Sequence, residues 1–423
     1  MSTQTSLTIE SLGSQGEGVA GYEGRKVFIP FTLPGEQVAA DVEGERGTLL
    51  RVVRPSPQRV SPICKHFGAC GGCALQHAGA GLYRPFKRDQ VAHALKSRGF
   101  AGDIEIAELV TVAPGTRRRA AFAASRDGDD ITLGYHAARS HALAAIDECP
   151  VLHPAIVREL PNLRNLLAFA LARKSTAELH ITGTAHGLDV MLTGASVEMT
   201  AKRRATLGAW LNATPAMLRL TIDGEQIAKR AEPEITFSGH TVTLPAGKFL
   251  QAVPEAEAQM LRLVEAGFGR LKPKDRIADL FCGLGAFSLP LAKRNEVLAV
   301  EWDVDVIAAL QAAALQPGLR KLEVLRRDLF REPLSARELE PFAAVVFDPP
   351  RAGAQAQAES LAASSVRTVI AVSCNPATFA RDARTLVDGG YRLDLVTPID
   401  QFLFSPHVEV VAVFKKGKKD AKP

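Results

Sequence analysis

A cysteine stands at position 374, in Ser373-Cys374-Asn375-Pro376, directly after the apolar run Val369–Val372. An aspartate is placed likewise at 348, opening Asp348-Pro349-Pro350-Arg351 after the run Ala343–Phe347. In open α/β sheets ligands collect at the carboxyl ends of strands, so two polar groups there can face one substrate. The prolines stiffen the aspartate's turn, because proline fixes its own φ and restricts the residue before it. A thiol so placed is a candidate nucleophile, since a thiolate both attacks and leaves readily. The competing reading is a buried core thiol. Glu409, in His407-Val408-Glu409, is the candidate general base, with a solvated strand charge as its alternative.

These groups together suit methylation of a pyrimidine. Carbon 5 of uracil is a poor nucleophile, but a thiolate adding to carbon 6 turns carbon 5 into an enolate-like centre. That centre can take a methyl group; a base then removes the carbon-5 proton and the thiolate departs. Asp348, or its neutral form, would hydrogen-bond the uracil edge. The target base must leave any stack to reach such a pocket.

A methyl donor needs its own site. Asp279-Leu280-Phe281-Cys282-Gly283-Leu284-Gly285 ends the apolar strand Ile277–Phe281 and opens the expected helix Phe287–Lys293. Gly283 and Gly285 allow a tight turn and close approach to a ligand, and a helix N-terminus offers free N–H groups. Glu301 ends the next strand, Val297–Val300, where a carboxylate can accept both ribose hydroxyls. Asp328, after Leu322–Leu325, is placed to meet an adenine. The third glycine of a dinucleotide fingerprint is missing, with Ser288 near its position, and no P-loop lysine follows. S-adenosylmethionine therefore fits better than NAD or ATP, the bland alternative being a structural turn. Cys282, inside the turn, reads as packing.

A third constellation is Cys64-x5-Cys70-x2-Cys73 with a distant Cys149. Gly68, Gly71 and Gly72 let the backbone wrap closely. Four thiolates suit a [4Fe–4S] cluster or a structural zinc. Zinc sites usually carry two short cysteine pairs, whereas Cys149 stands alone before Pro150, which favours iron–sulfur. His66 and His77 read as surface or supporting residues. A structural role is expected, since the reaction above moves no electrons.

The elements that must hold these groups divide the 423 residues into a multidomain α/β protein. Residues 1–60 read as a small β-barrel of the OB type, with Leu7/Ile9, Val27/Ile29, Val38/Ala40/Val42 and Leu50/Val52 alternating between glycine turns. Pro55, Pro57 and Pro62 mark its end. Residues 61–248 read as a central α/β domain carrying the cysteine cluster. Helices are predicted at Gln90–Arg98 and Ser196–Leu211, and strands around Phe122, Ile131–Tyr135, Glu178–Thr182 and Leu188–Leu192. Residues 249–423 alternate strand and helix, including the helix Val304–Ala313, which is the pattern of a Rossmann-like, doubly wound sheet. The Lys-rich tail Lys415–Pro423 is expected to fray.

At these residues the chain resembles the bacterial class I RNA (uracil-5-)-methyltransferase family with an N-terminal TRAM domain, and among its members the iron–sulfur enzymes acting on 23S ribosomal RNA. The resemblance spans essentially the whole chain. It takes in Pro57-Gln58-Arg59-Val60, the four cysteines, Asp279–Gly285, Asp348–Gly353, Ser373–Pro376 and His407–Glu409. It implies that Cys374 is the nucleophile and Glu409 the proton acceptor. It implies cofactor contacts at Gln251, Phe281, Glu301 and Asp348, and a [4Fe–4S] cluster on Cys64, Cys70, Cys73 and Cys149. A TRAM domain over about residues 1–57 would grip RNA. Val253 and Ala286 replace asparagines frequent in the family, and Leu403 a common proline. Two individual cofactor hydrogen bonds are affected; the nucleophile and base are not.

Composition sets the outer bounds. Hydrophobic residues make up 46% and charged residues 23%, ordinary for a globular enzyme. No apolar run approaches the roughly 18 residues of a membrane span, and the first residues lack the basic, then apolar, pattern of a secretory signal. A reducing cytoplasm is expected, where six cysteines serve as ligands, catalysts or core rather than disulfides. The net charge of +5 permits a nucleic-acid partner. Candidate RNA contacts are Arg25, Lys26, Arg117–Arg119 and Lys202–Arg204, with a solvated face as the alternative and the better reading of the last three. The rival functions are a methyltransferase of transfer RNA uridine or of cytosine, and a non-catalytic RNA-binding or ribosome-assembly factor. A monomer is expected.

Overall fold

Alternating apolar residues close the first unit. In the computed structural model, which describes residues 3–100 and 104–417, six strands form one sheet. Its order is Thr3–Thr8, Gln37–Glu43, Arg46–Arg54, Arg25–Ile29, Gly18–Tyr22, Ser11–Leu12. Leu7, Ile9, Val27, Ile29, Val38, Ala40 and Val42 fill its interior. The expected Leu50/Val52 pair is only half right. Irregularities in register at Gln37/Val38 and Ala39/Ala40 shift the pairing, so Leu49 and Val52 pack inward while Leu50 faces solvent.

The second sheet has seven strands, in the order Leu143–Ala145, Asp130–His136, Arg119–Asp127, Lys174–Thr184, Gly187–Thr193, Met217–Ile222, Glu225–Lys229. Phe122, Leu133, Leu179, Ile181, Val190 and Leu192 pack from it against helices Leu160–Ala170 and Ala201–Ala213. The latter helix starts five residues later than the apolar spacing predicts. Thr200 caps it by accepting the Arg203 N–H at 3.3 Å, and Ser196 takes a φ of 53° that no helix permits.

The third sheet holds the strands that end at Asp348 and Cys374. Parallel strands Leu322–Arg326, Glu296–Glu301, Arg276–Leu280, Phe342–Phe347 and Thr368–Ser373 lie side by side, followed by antiparallel Glu409–Lys416 and then Tyr391–Asp400. The central strands Phe342–Phe347 and Thr368–Ser373 are near-continuous apolar runs, as strands buried on both faces must be. Lys415 and Lys416 belong to the last strand, so the tail holds further than expected. Lys415 Nζ donates to the Gly267 carbonyl and Lys416 Nζ to those of Ala362 and Ser364. Residues 418–423 lie outside the described residues.

The segment 80–111 joins this third sheet although it precedes the second in the chain. Glu105–Ile106 and Val110–Thr111 pair in parallel with Tyr391–Asp400. Helix Ala80–Ser97 sends Val91 and Leu95 into the same core as Ala278, Val345 and Phe379. That helix begins ten residues before the predicted Gln90 and carries Pro85 inside it, at the loss of one i→i−4 hydrogen bond, while Tyr83 and Phe86 are buried from its first turns. Among the described residues, no helix is long and apolar enough to cross a membrane.

Candidate active site

One cavity of about 610 Å³ opens at the carboxyl ends of the parallel strands. Gln251, Phe281, Gly283, Glu301, Asp328, Asp348, Cys374 and Glu409 all line it. The ninth site residue expected from sequence, Gly285, does not. A Cβ there would sit 2.5 Å from Leu310 Cδ1, so its φ of 90° and bare Cα serve helix packing.

Each wall follows from local chemistry. Phe281 has a φ of 60°, a conformation strained for a side-chain residue, and its ring meets Phe330 at 5.4 Å. Glu301 accepts the N–H groups of Gly283 (3.1 Å), Trp302 (2.7 Å) and Asp303 (3.1 Å), which fixes its carboxylate at the rim. Asp328 accepts the Phe330 N–H at 3.0 Å. Behind them Asp279 is fully buried and takes the Ser288 hydroxyl at 2.5 Å. Burial lifts its carboxyl to about 7.

Cys374 sits on the turn between strand Thr368–Ser373 and helix Pro376–Asp388. Asn375 caps the helix by accepting the Ala377 N–H, and Pro376 occupies the first helical position. The Asn375 side chain also donates to the Arg351 carbonyl at 3.0 Å, joining this turn to the Asp348–Gly353 turn. Gly353 is required there: a Cβ would lie 2.5 Å from the Arg381 guanidinium, at a φ of 76°. Two motifs separated in sequence thus form one rigid wall.

The electrostatics of this wall favour protonated groups. Burial pushes the Cys374 thiol up to about 11, helped by the charges of Glu409 and Asp348 and opposed by Arg351. Glu409 rises to about 8 by burial and the Asp348 charge, and Asp348 to about 7 by burial. A cation entering the cavity would offset all three shifts.

A residue missed in the sequence reading links the carboxylates. Asp348 accepts Gln251 Nε2 at 3.0 Å; Gln401 Nε2 donates to Gln251 Oε1 at 2.9 Å and to Glu409 Oε1 at 2.7 Å. Lys87 was missed too. It is fully buried and donates to Asp400 Oδ1 at 2.7 Å and to the Phe402 carbonyl at 3.1 Å, with a further bond to the His407 carbonyl.

Arg118 and Arg119 are not a solvated face but turn onto backbone carbonyls. Both are half-buried: Arg118 donates to the Gln251 carbonyl at 3.0 Å and pairs with Glu257 at 2.8 Å, and Arg119 donates to the Leu250 carbonyl at 2.8 Å. They hold the backbone that presents Gln251. Arg204 pairs with Glu225, in line with a solvated charged face.

Cys64, Cys70, Cys73 and Cys149 line a separate cavity of about 300 Å³ together with Tyr135, Ile146 and Phe402. Burial raises the Cys70, Cys73 and Cys149 thiols, Cys73 to about 12. Among the described residues, no group of three or more His, Cys, Asp or Glu side chains is arranged to hold a metal ion. The cysteine loop touches the loop that leads into Glu409: Ala74 and Leu75 both donate N–H groups to the Phe404 carbonyl, at 2.7 and 3.0 Å.

Comparison with known proteins adds an independent line. The tRNA (Uracil-5-)-methyltransferase family model matches residues 238–417, and the TRAM domain model residues 3–50. An uncharacterised RNA methyltransferase of Brucella suis is 45% identical over 414 residues, covering 98% of each chain. The 23S rRNA (uracil(1939)-C(5))-methyltransferase RlmD of Edwardsiella ictaluri is 32% identical, over 97% of this chain and 95% of that one. The crystal structure of Pyrococcus abyssi tRNA (uracil-54, C5)-methyltransferase with S-adenosyl-L-homocysteine superposes with a TM-score of 0.72. It shares 22% identity and covers 97% of this chain and 99% of that one, a likeness of fold.

Proposed function

The chain belongs to the RNA (uracil-5-)-methyltransferase family, and from that premise we propose that it forms 5-methyluridine in 23S ribosomal RNA through a covalent cysteine adduct. The observation that carries the mechanism is the shared cavity: Cys374, Glu409 and Asp348 line the same space as the expected cofactor residues. The choice of ribosomal RNA rests on the 32% identical relative that acts on it and on the four-cysteine set. Transfer RNA remains the second reading, favoured by the archaeal neighbour in fold.

The residues fit S-adenosylmethionine. Its groups would meet Phe281, Glu301 and Asp328, while the acidic walls favour its positive charge. Bound there, it supplies an electrophilic methyl group. In the chemical step the Cys374 thiol gives up its proton to solvent, the thiolate sulfur bonds carbon 6 of uracil, and the carbon 5–carbon 6 π electrons move toward the carbon-4 oxygen. Carbon 5 would then take the methyl group, the methyl–sulfur bond of the donor breaking with its electron pair left on that sulfur. Glu409 accepts the carbon-5 proton, the double bond re-forms, and the bond from sulfur to carbon 6 breaks, returning the thiolate. Asp348, whose carboxyl burial raises to about 7, hydrogen-bonds the uracil edge and, when ionised, does so as an acceptor.

The four cysteines fit a [4Fe–4S] cluster by donor type, and a bound cation would favour the thiolates of Cys70, Cys73 and Cys149 against the burial that raises them. Such a cluster would supply a cross-link between Cys149 and the loop 64–73.

The direct test uses cells lacking this protein. Ribosomal and transfer RNA are digested separately and 5-methyluridine is quantified by mass spectrometry. Loss from ribosomal RNA alone is expected. Loss from transfer RNA alone would overturn the substrate; in the purified system, full methylation by Cys374→Ala would overturn the adduct.

A further inference from the structure

Gln401 has 1% of its surface exposed and lies outside the cavity wall, yet its amide touches two residues on that wall. The direction of its hydrogen bonds can be worked out from the carboxylate end. Ionised Asp348 only accepts, so Gln251 must turn its NH2 toward it, at 3.0 Å. That leaves Gln251 Oε1, another acceptor, facing Gln401 at 2.9 Å. Gln401 must therefore present its NH2, and its second N–H reaches Glu409 Oε1 at 2.7 Å. The Gln401 oxygen is left buried with no partner. An amide that leaves its own acceptor bare while spending both donors on two site residues is costly to stability and needs a reason in function.

Resting on the reading of Glu409 as base, we propose that Gln401 is a positioning residue that holds the Glu409 carboxylate for removal of the carbon-5 proton and ties it, through Gln251, to Asp348. The donor fixes one oxygen of Glu409, leaving the other free to face the cavity. It also favours the charged, proton-accepting form against burial and against Asp348. The charged and titratable groups facing Glu409 are Asp348 and Arg351 from one turn and Cys374 from the next. Gln401 is a neutral donor bonded to Glu409 at 2.7 Å, so it stabilises the carboxylate without adding a charge that would compete with the cationic methyl donor.

The expected signature is specific to the last step. Gln401→Met keeps length and apolar bulk but removes both donors. In whole purified protein, with ribosomal RNA from cells lacking the enzyme as substrate, 5-methyluridine formation falls between about tenfold and a hundredfold. That is less than the roughly hundredfold to ten-thousandfold that a general base contributes. KM for RNA stays unchanged, the rising limb of the pH–rate profile moves to higher pH, and a detergent-resistant protein–RNA adduct accumulates. A merely structural residue would lose RNA binding and adduct together. A wild-type rate, or that parallel loss, overturns the proposal. Gln401→Leu and Gln401→Asn accompany it, and failure of all three to fold would assign a purely structural role and overturn it as well. Glu409→Gln is run alongside. If that variant keeps its rate, the base assignment falls; if it accumulates adduct while a folded Gln401→Met does not, only this inference falls.

Discussion

Lys87 and Asp400 stand 313 positions apart in the chain and 2.7 Å apart in space, both side chains fully buried. Tyr83, from the same helix, donates to the other Asp400 oxygen and accepts the Phe404 N–H at 2.8 Å. One helix thus anchors the loop that carries Gln401 and leads into Glu409. Removing one partner leaves a buried uncompensated charge. Lys87→Met should destabilise the fold by about 3–5 kcal/mol in urea unfolding, with much of the loss recovered in Lys87→Met/Asp400→Asn. An unchanged midpoint for the single variant would show that the pair does not anchor this loop.

The raised carboxyls set two opposite pH trends. Glu409 shifts from 4.5 to about 8, so its burial favours the folded state below about pH 4.5 and that contribution is lost as pH rises through 8. Glu409→Gln should therefore raise the melting temperature more at pH 8.5 than at pH 5. Catalysis runs the other way: the base must be ionised and the thiol lost, so the wild-type rate should climb through pH 8. Equal stabilisation at both pH values would refute the buried-carboxyl account.

Arg118 gives a way to separate cofactor support from RNA grip. Its bonds to Gln251 and Glu257 predict that Arg118→Met weakens S-adenosylmethionine binding, read by calorimetry. The salt dependence of RNA binding should stay as in the wild type. Loss of a phosphate contact would instead lower the salt slope by about one. A reduced slope with unaltered cofactor affinity would return Arg118 to the RNA interface.

The cysteine cavity predicts bound iron. Anaerobically prepared protein should carry about four irons per chain, measured by elemental analysis with zinc counted in parallel. Cys73→Ser should abolish this iron. One equivalent of zinc and no iron would replace the cluster with a structural ion.

Much of the third sheet was legible because Val297–Val300, Ala343–Phe347 and Val369–Val372 are apolar runs that stop at Glu301, Asp348 and Ser373-Cys374, each a local signal. Cys374, Asp348 and Glu301 could be read for the same reason, since they sit where those runs stop. Gln401 and Lys87 could not. An amide after an aspartate, or a lysine among the cations of Lys87-Arg88, has no local mark. Their roles come from contacts 150 and 313 positions away. The early start of helix Ala80–Ser97 was hidden by Gly79, Gly81 and Pro85, which read as breakers until packing of Tyr83 and Phe86 overrides them. The arginine triplet's backbone bonds were not legible because charge alone does not tell a surface cation from one turned onto backbone carbonyls.

The anchoring helix also has a history within each molecule. It leaves the ribosome long before Asp400 is translated, and at about 5–20 residues per second the delay is roughly 15–60 s. Through that interval Val91 and Leu95 have no core to enter and the Lys87 ammonium no carboxylate to meet. A nascent chain in this state offers an apolar helix face to any chaperone near the exit tunnel. Its final docking must wait for the end of synthesis.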